Sequence, residues 1–112
     1  MNTFRPEPKF ERRLAARYSF GGVAEVIDPE SGKHVVGVTR ELGTNGCFVK
    51  TKNIVPVLTN VLVNITVNNR TFAALGRVVY LLDDEGMGIK FETITPADRA
   101  ILTEWFAQST GL

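Results

Sequence analysis

Apolar and polar residues alternate along most of this chain, and the period changes once, near its end. Val61, Val63, Ile65 and Val67 occupy every second position, which puts them on one face of an extended strand. The same reading predicts strands over about 18–28, 34–42, 47–51, 59–67, 71–82 and 87–92. The first carries Phe20, Val23, Val26 and Ile27 and is loosened by Gly21 and Gly22. Turn residues separate these runs: Asp28-Pro29-Glu30-Ser31-Gly32-Lys33, Gly43-Thr44-Asn45-Gly46, Asn68-Asn69 and Asp83-Asp84-Glu85-Gly86. Asn45-Gly46 predicts a primed hairpin turn, which needs positive φ at both central residues. Beyond Thr95 the period becomes helical. Thr95 caps, Pro96 suits the first helical position, Asp98 favours the N-terminal end of the helix dipole, and Gly111 stops the helix. Ile101, Leu102, Trp105 and Phe106 form an apolar face that must dock on the sheet, the barrel or a partner. The expected fold is mainly β, a six-stranded antiparallel barrel with one C-terminal α-helix. Residues 12–110 form the domain, and 1–11, with Pro6 and Pro8, form a flexible arm.

Composition limits the class of protein. The 112 residues are 44% hydrophobic and 22% charged, a balance that suits one globular core. No apolar run is long enough to span a bilayer, so no membrane insertion is expected. Phe4, Pro6 and Glu7 interrupt the place of a secretory leader, and the single Cys47 allows no internal disulfide. A cytoplasmic location is therefore expected. The net charge of +1 conceals an asymmetry. Arg5, Lys9, Arg12, Arg13 and Arg17 against Glu7 and Glu11 give residues 1–20 a charge of +3, leaving −2 for the rest. A basic arm on a slightly acidic body predicts a local anionic partner, not DNA, which calls for a broad basic face.

Catalytic chemistry finds no constellation in the sequence, and the chain reads as a non-enzyme. His34 is the only histidine, and with Cys47 it supplies two of the roughly four ligands a zinc site needs. Asp83, Asp84 and Glu85 lack the spacing of a calcium loop. Ser31-Gly32-Lys33 lacks the glycine frame of a phosphate loop. No cofactor or metal is expected.

Two weaker signals remain. Arg13-Leu14-Ala15-Ala16-Arg17 places two guanidinium groups four residues apart, on the same side of an extended or a helical segment and roughly 13 Å apart if extended. Arginine donates in pairs to phosphate oxygens and to guanine O6 and N7, and it stacks on purines. Arg12 adds a third donor group. The second signal is Glu41-Leu42-Gly43-Thr44-Asn45-Gly46, a carboxylate at a strand end followed by a glycine-rich turn that a ligand can approach closely.

In this order, and on this strand pattern, the two segments resemble the PilZ domain, whose signature is R-x-x-x-R before the first strand and [D/N]-x-S-x-x-G between the second and third. Gly76-Arg77-Val78-Val79-Tyr80 and Gly86-Met87-Gly88-Ile89-Lys90-Phe91 are similar to the family's fifth and last strands, and the resemblance covers about residues 10–108. It implies a barrel with a C-terminal helix and a bacterial receptor for cyclic di-GMP. Arg13 and Arg17 would clasp the dinucleotide with Arg12 beside them, Glu41 would take the acidic or amide position, and Gly43 and Gly46 would complete the turn. Two positions depart from the signature. Glu41 stands where Asp or Asn is usual, and Gly43 where Ser is usual. A lost hydrogen bond of that kind costs about 0.5–3 kcal/mol.

The resemblance also admits a second class of function, a nucleotide-independent protein-interaction module on the same scaffold. That reading draws on the altered turn and on the apolar helix face at Trp105 and Phe106. In either case the expected output is a changed affinity for an effector protein, from a chain that is a monomer or a weak homodimer.

Overall fold

The computed structural model describes residues 18, 19 and 22–110. In chain order the elements are β1 (Tyr18–Ser19), β2 (Val23–Ile27), β3 (His34–Leu42), β4 (Gly46–Lys50), β5 (Asn60–Val67), β6 (Arg70–Leu82), β7 (Gly86–Thr93) and α1 (Pro96–Thr110). Strands β2, β5, β6, β7, β4 and β3 pair in that order, all antiparallel, and β3 closes the ring on β2. The expected six-stranded barrel with a C-terminal helix is present.

The single strand expected over 18–28 is in fact two. Ser19 faces Glu41 and Val23 faces Val38, so the chain gains one residue on β3 between these rungs. β3 also bulges against β4, where Thr39 faces Val49 and Glu41 faces Phe48, leaving Arg40 as the extra residue. Bulges bend a strand and increase its twist, which closing six strands into a barrel requires.

Alternation sorts the side chains. Val61, Val63 and Ile65 of β5 point inward with Val26, Val35, Phe72, Val78 and Met87, and Val67 packs partly buried against them. Asn68 and Asn69 have φ of 49° and 71°, the left-handed pair that a tight β5–β6 hairpin requires.

The C-terminal helix covers one end of this core. Thr95 Oγ1 accepts the Asp98 N–H at 3.1 Å, the expected cap. Asp98 has a second role. Its Oδ1 accepts the Ala73 N–H at 3.0 Å, on a stretch of β6 ahead of its pairing with β7, which starts at Leu75. The carboxylate thus satisfies an edge donor and pins the helix to the barrel. Leu102 and Trp105 are buried, and the Trp105 ring lies 6.3 Å from Phe72. The apolar helix face docks on the barrel.

Thr39 presents the one buried side-chain polar atom without a hydrogen-bond partner among the described residues, its Oγ1. Its backbone N–H donates to the Gly22 carbonyl at 2.8 Å. Burying a hydroxyl without a partner costs about 1–3 kcal/mol. Thr39→Val keeps the shape and removes the orphan. It is expected to stabilise the fold by about 1 kcal/mol, read as a higher urea midpoint at an unchanged slope. A lower midpoint would contradict the assignment.

Candidate ligand-binding site

The site begins with the β3–β4 hairpin. Glu41 faces Phe48 and Leu42 faces Cys47, and the turn closes where the Gly43 N–H donates to the Gly46 carbonyl at 2.9 Å. The central residues are therefore Thr44 and Asn45. None of Thr44, Asn45 and Gly46 has positive φ, so the primed Asn45-Gly46 turn expected from sequence does not form. Gly46 has another task. It opens β4 opposite Lys90, so near β7 that a Cβ there would collide with the Ile89 carbonyl oxygen. Its lack of a side chain serves strand approach rather than turn geometry. The turn is also fastened to β7 from outside the ladder, since the Asn45 carbonyl accepts the Phe91 N–H at 2.8 Å.

Of the sequence-derived site residues, Glu41, Gly43 and Gly46 share this hairpin. Glu41 is half-buried at the end of β3, and Gly43 is buried with its N–H committed to the turn. Arg12, Arg13 and Arg17 lie outside the described residues. The described residue that follows Arg17 in the chain is Tyr18 of β1, which faces Leu42, and Ser19 faces Glu41.

Sequence reasoning missed a neighbour of this hairpin. On the outer surface Arg40 sits over the Phe48 ring, 5.8 Å from its centroid, and Phe48 stacks on Tyr80 at 6.2 Å with 23° between planes. Arg40 Nη1 also lies 3.6 Å from Glu85 Oε1 in the β6–β7 turn. Glu85, which the sequence grouped with Asp83 and Asp84, thus engages a guanidinium.

His34 and Cys47, two potential zinc ligands in the sequence, are far apart. His34 opens β3 and pairs with Ile27, whereas Cys47 faces Leu42, eight positions further along β3. At the usual strand rise that is roughly 26 Å. Burial pushes the Cys47 thiol up to about 12, so it carries no thiolate at neutral pH. His34 lies beside Glu25, Nε2 to Oε2 3.4 Å, on the surface.

The sequence model of the PilZ domain matches residues 11–108, nearly the whole chain. The chain belongs to the PilZ domain family. Solved structures agree on the fold. The PilZ domain of CeSA from a cellulose-synthesizing bacterium superposes with a TM-score of 0.65 at 17% identity, covering 83% of this chain and 96% of that one. The Bacillus subtilis inhibitor of motility (MotI/DgrA) gives 0.70 at 12% identity over 83% of this chain and 48% of its own, so this chain spans about half the length of that protein. No curated protein sequence matches.

The segment that resembles the family's signature turn is the β3–β4 hairpin, because β1 and β2 divide what the sequence shows as one strand. No helix among the described residues is long and apolar enough to cross a membrane.

Proposed function

We propose that this chain is a receptor for cyclic di-GMP, held between Arg13 and Arg17 with Arg12 beside them and the Glu41–Gly46 hairpin, and that the occupied surface is read by an effector protein in the cytoplasm. One observation carries the reading. The β1 rung sets Tyr18 against Leu42, and Arg17 is one peptide bond from Tyr18, so the arginine segment joins the barrel beside the signature turn. The pairing brings the chain position that follows Arg17 beside a hairpin that starts 24 residues further on, counted from Arg17 to Glu41, which supports the reading.

The chemistry suits the ligand. Two guanidinium forks match two phosphates or the O6/N7 edge of guanine, and the Glu41 carboxylate can accept from a guanine amino edge. The Gly43 N–H is spent on closing the turn, so that donor does not replace the serine hydroxyl of the signature. The protein-interaction alternative loses one support, because Trp105 is buried against Phe72 and Phe106 packs against the core.

Calorimetric titration of the full chain with cyclic di-GMP tests the proposal. Saturable binding is expected, weakening as salt rises from about 0.05 to about 0.5 M, because screening falls on the arginine–phosphate contacts. The absence of both heat and a thermal shift at about 1 mM ligand, enough to reveal even millimolar affinity, would end the receptor reading.

A further inference from the structure

The barrel's outer face carries a row of side chains that its core does not use. Across β3, β4, β7 and β6 the rungs run Glu41, Phe48, Gly88, Tyr80. The bulge adds Arg40 at one end of this row. Phe48 is only 6% exposed yet stands outside the core cluster, between Arg40 and Tyr80. Gly88 explains how Tyr80 reaches it. Any Cβ at position 88 would collide with the Tyr80 ring, so the glycine lets that ring lean across β7 onto Phe48.

The ends of the row are open to solvent: Tyr80 is 46% exposed and the Arg40 side chain 49%. Their chemistry is specific. A ring and a guanidinium plane both stack on nucleobases, and stacking is tolerant of everything except loss of the plane. Glu85 beside Arg40 offsets its charge, which makes a phosphate a poorer partner for Arg40 than a neutral planar one. Glu41, adjacent to Arg40 in the chain, supplies an acceptor at the edge of whatever plane lies there.

We infer that Arg40, Phe48 and Tyr80 form a stacking ledge for guanine bases of the bound dinucleotide, with Phe48 setting the other two and Gly88 making room for Tyr80. The inference rests on the receptor reading above and adds residues that the R-x-x-x-R and turn motifs do not contain. Arg40 acts here as a plane, so lysine is a poor substitute.

The test titrates cyclic di-GMP into the full chain and its Tyr80→Ala, Tyr80→Phe and Arg40→Lys variants, with the Tyr80 ring resonances of the unmodified protein followed by NMR. Tyr80→Ala should weaken binding about 5- to 100-fold. Tyr80→Phe, which keeps the ring, should stay within about twofold, and Arg40→Lys should weaken binding despite its retained charge. The Tyr80 ring protons should move upfield as a base stacks on them. Binding by the unmodified protein with unmoved Tyr80 resonances, or with Tyr80→Ala unchanged, overturns the ledge and leaves the receptor standing. No binding by the unmodified protein overturns both.

Discussion

Alanine at Arg13 or at Arg17 should weaken cyclic di-GMP binding by about 30- to 1000-fold, the range set by removing one partner of a desolvated charge pair, about 2–4 kcal/mol. The size follows from asymmetry. The lost fork forfeits a charge-assisted double hydrogen bond and also leaves a ligand oxygen or base edge dehydrated without a partner. Restoring the signature serine, Gly43→Ser, adds a single hydroxyl contact and should tighten binding by no more than about tenfold. The order of effects is therefore the informative result: both arginines first, position 43 well behind. Calorimetry on the three variants, with melting temperatures taken alongside, checks it. An alanine variant that titrates like the unmodified protein would remove the arginine pair from the site.

The second large effect concerns a residue of the same signature and is a stability effect. Gly46→Ala should destabilise the fold by about 2–4 kcal/mol, at the upper end of overpacking costs. The added methyl meets the Ile89 carbonyl oxygen, with Ile89 C and Lys90 Cα both at 3.4 Å behind it. These are backbone atoms of a paired strand and have no rotamer to move into. For a domain of this size the melting temperature should drop by about 8–30 °C. A drop below about 2 °C, small on the scale of one kcal/mol, would show that β4 and β7 can separate there at little cost. The motif would then divide by function: its arginines are proposed to address the ligand, and its last glycine holds β4 against β7 beside the proposed site.

Much of the architecture was legible because it rests on local rules. Two-residue alternation marked β5, and the asparagine pair at 68–69 marked a turn whose φ values are those expected. Thr95, Pro96 and Asp98 marked the helix start, although nothing local told that Asp98 would also cap the Ala73 edge of β6. The errors came where tertiary pairing overrides local preference. Asn45-Gly46 carries a strong primed-turn signal, but β7 claims Gly46 as a strand residue and the turn forms one position earlier. The division of the first strand reflects a one-residue offset against β3, which is a property of the closed sheet and not of residues 18–28.

The ledge was illegible for a different reason. Arg40, Phe48, Tyr80 and Gly88 come from four strands, and only register brings them side by side. One trace was present. Cys47-Phe48-Val49 is a run of three apolar residues where a strand with one solvated face would alternate, which signals that the outer side of β4 is covered as well. The arginine pair lay at the opposite extreme, conspicuous in the sequence by charge alone.

Trp105 is the only tryptophan in the chain, and it is 5% exposed where the helix meets Phe72 of β6. The domain therefore carries one built-in optical probe, placed at the helix–barrel seam rather than in the signature hairpin. Its emission should report loss of that seam, so Thr39→Val and Gly46→Ala can be ranked by fluorescence in denaturant without any label. Tyr80, by contrast, belongs to the outer row that a nucleotide would touch. Folding can thus be followed through one chromophore and the proposed recognition through another.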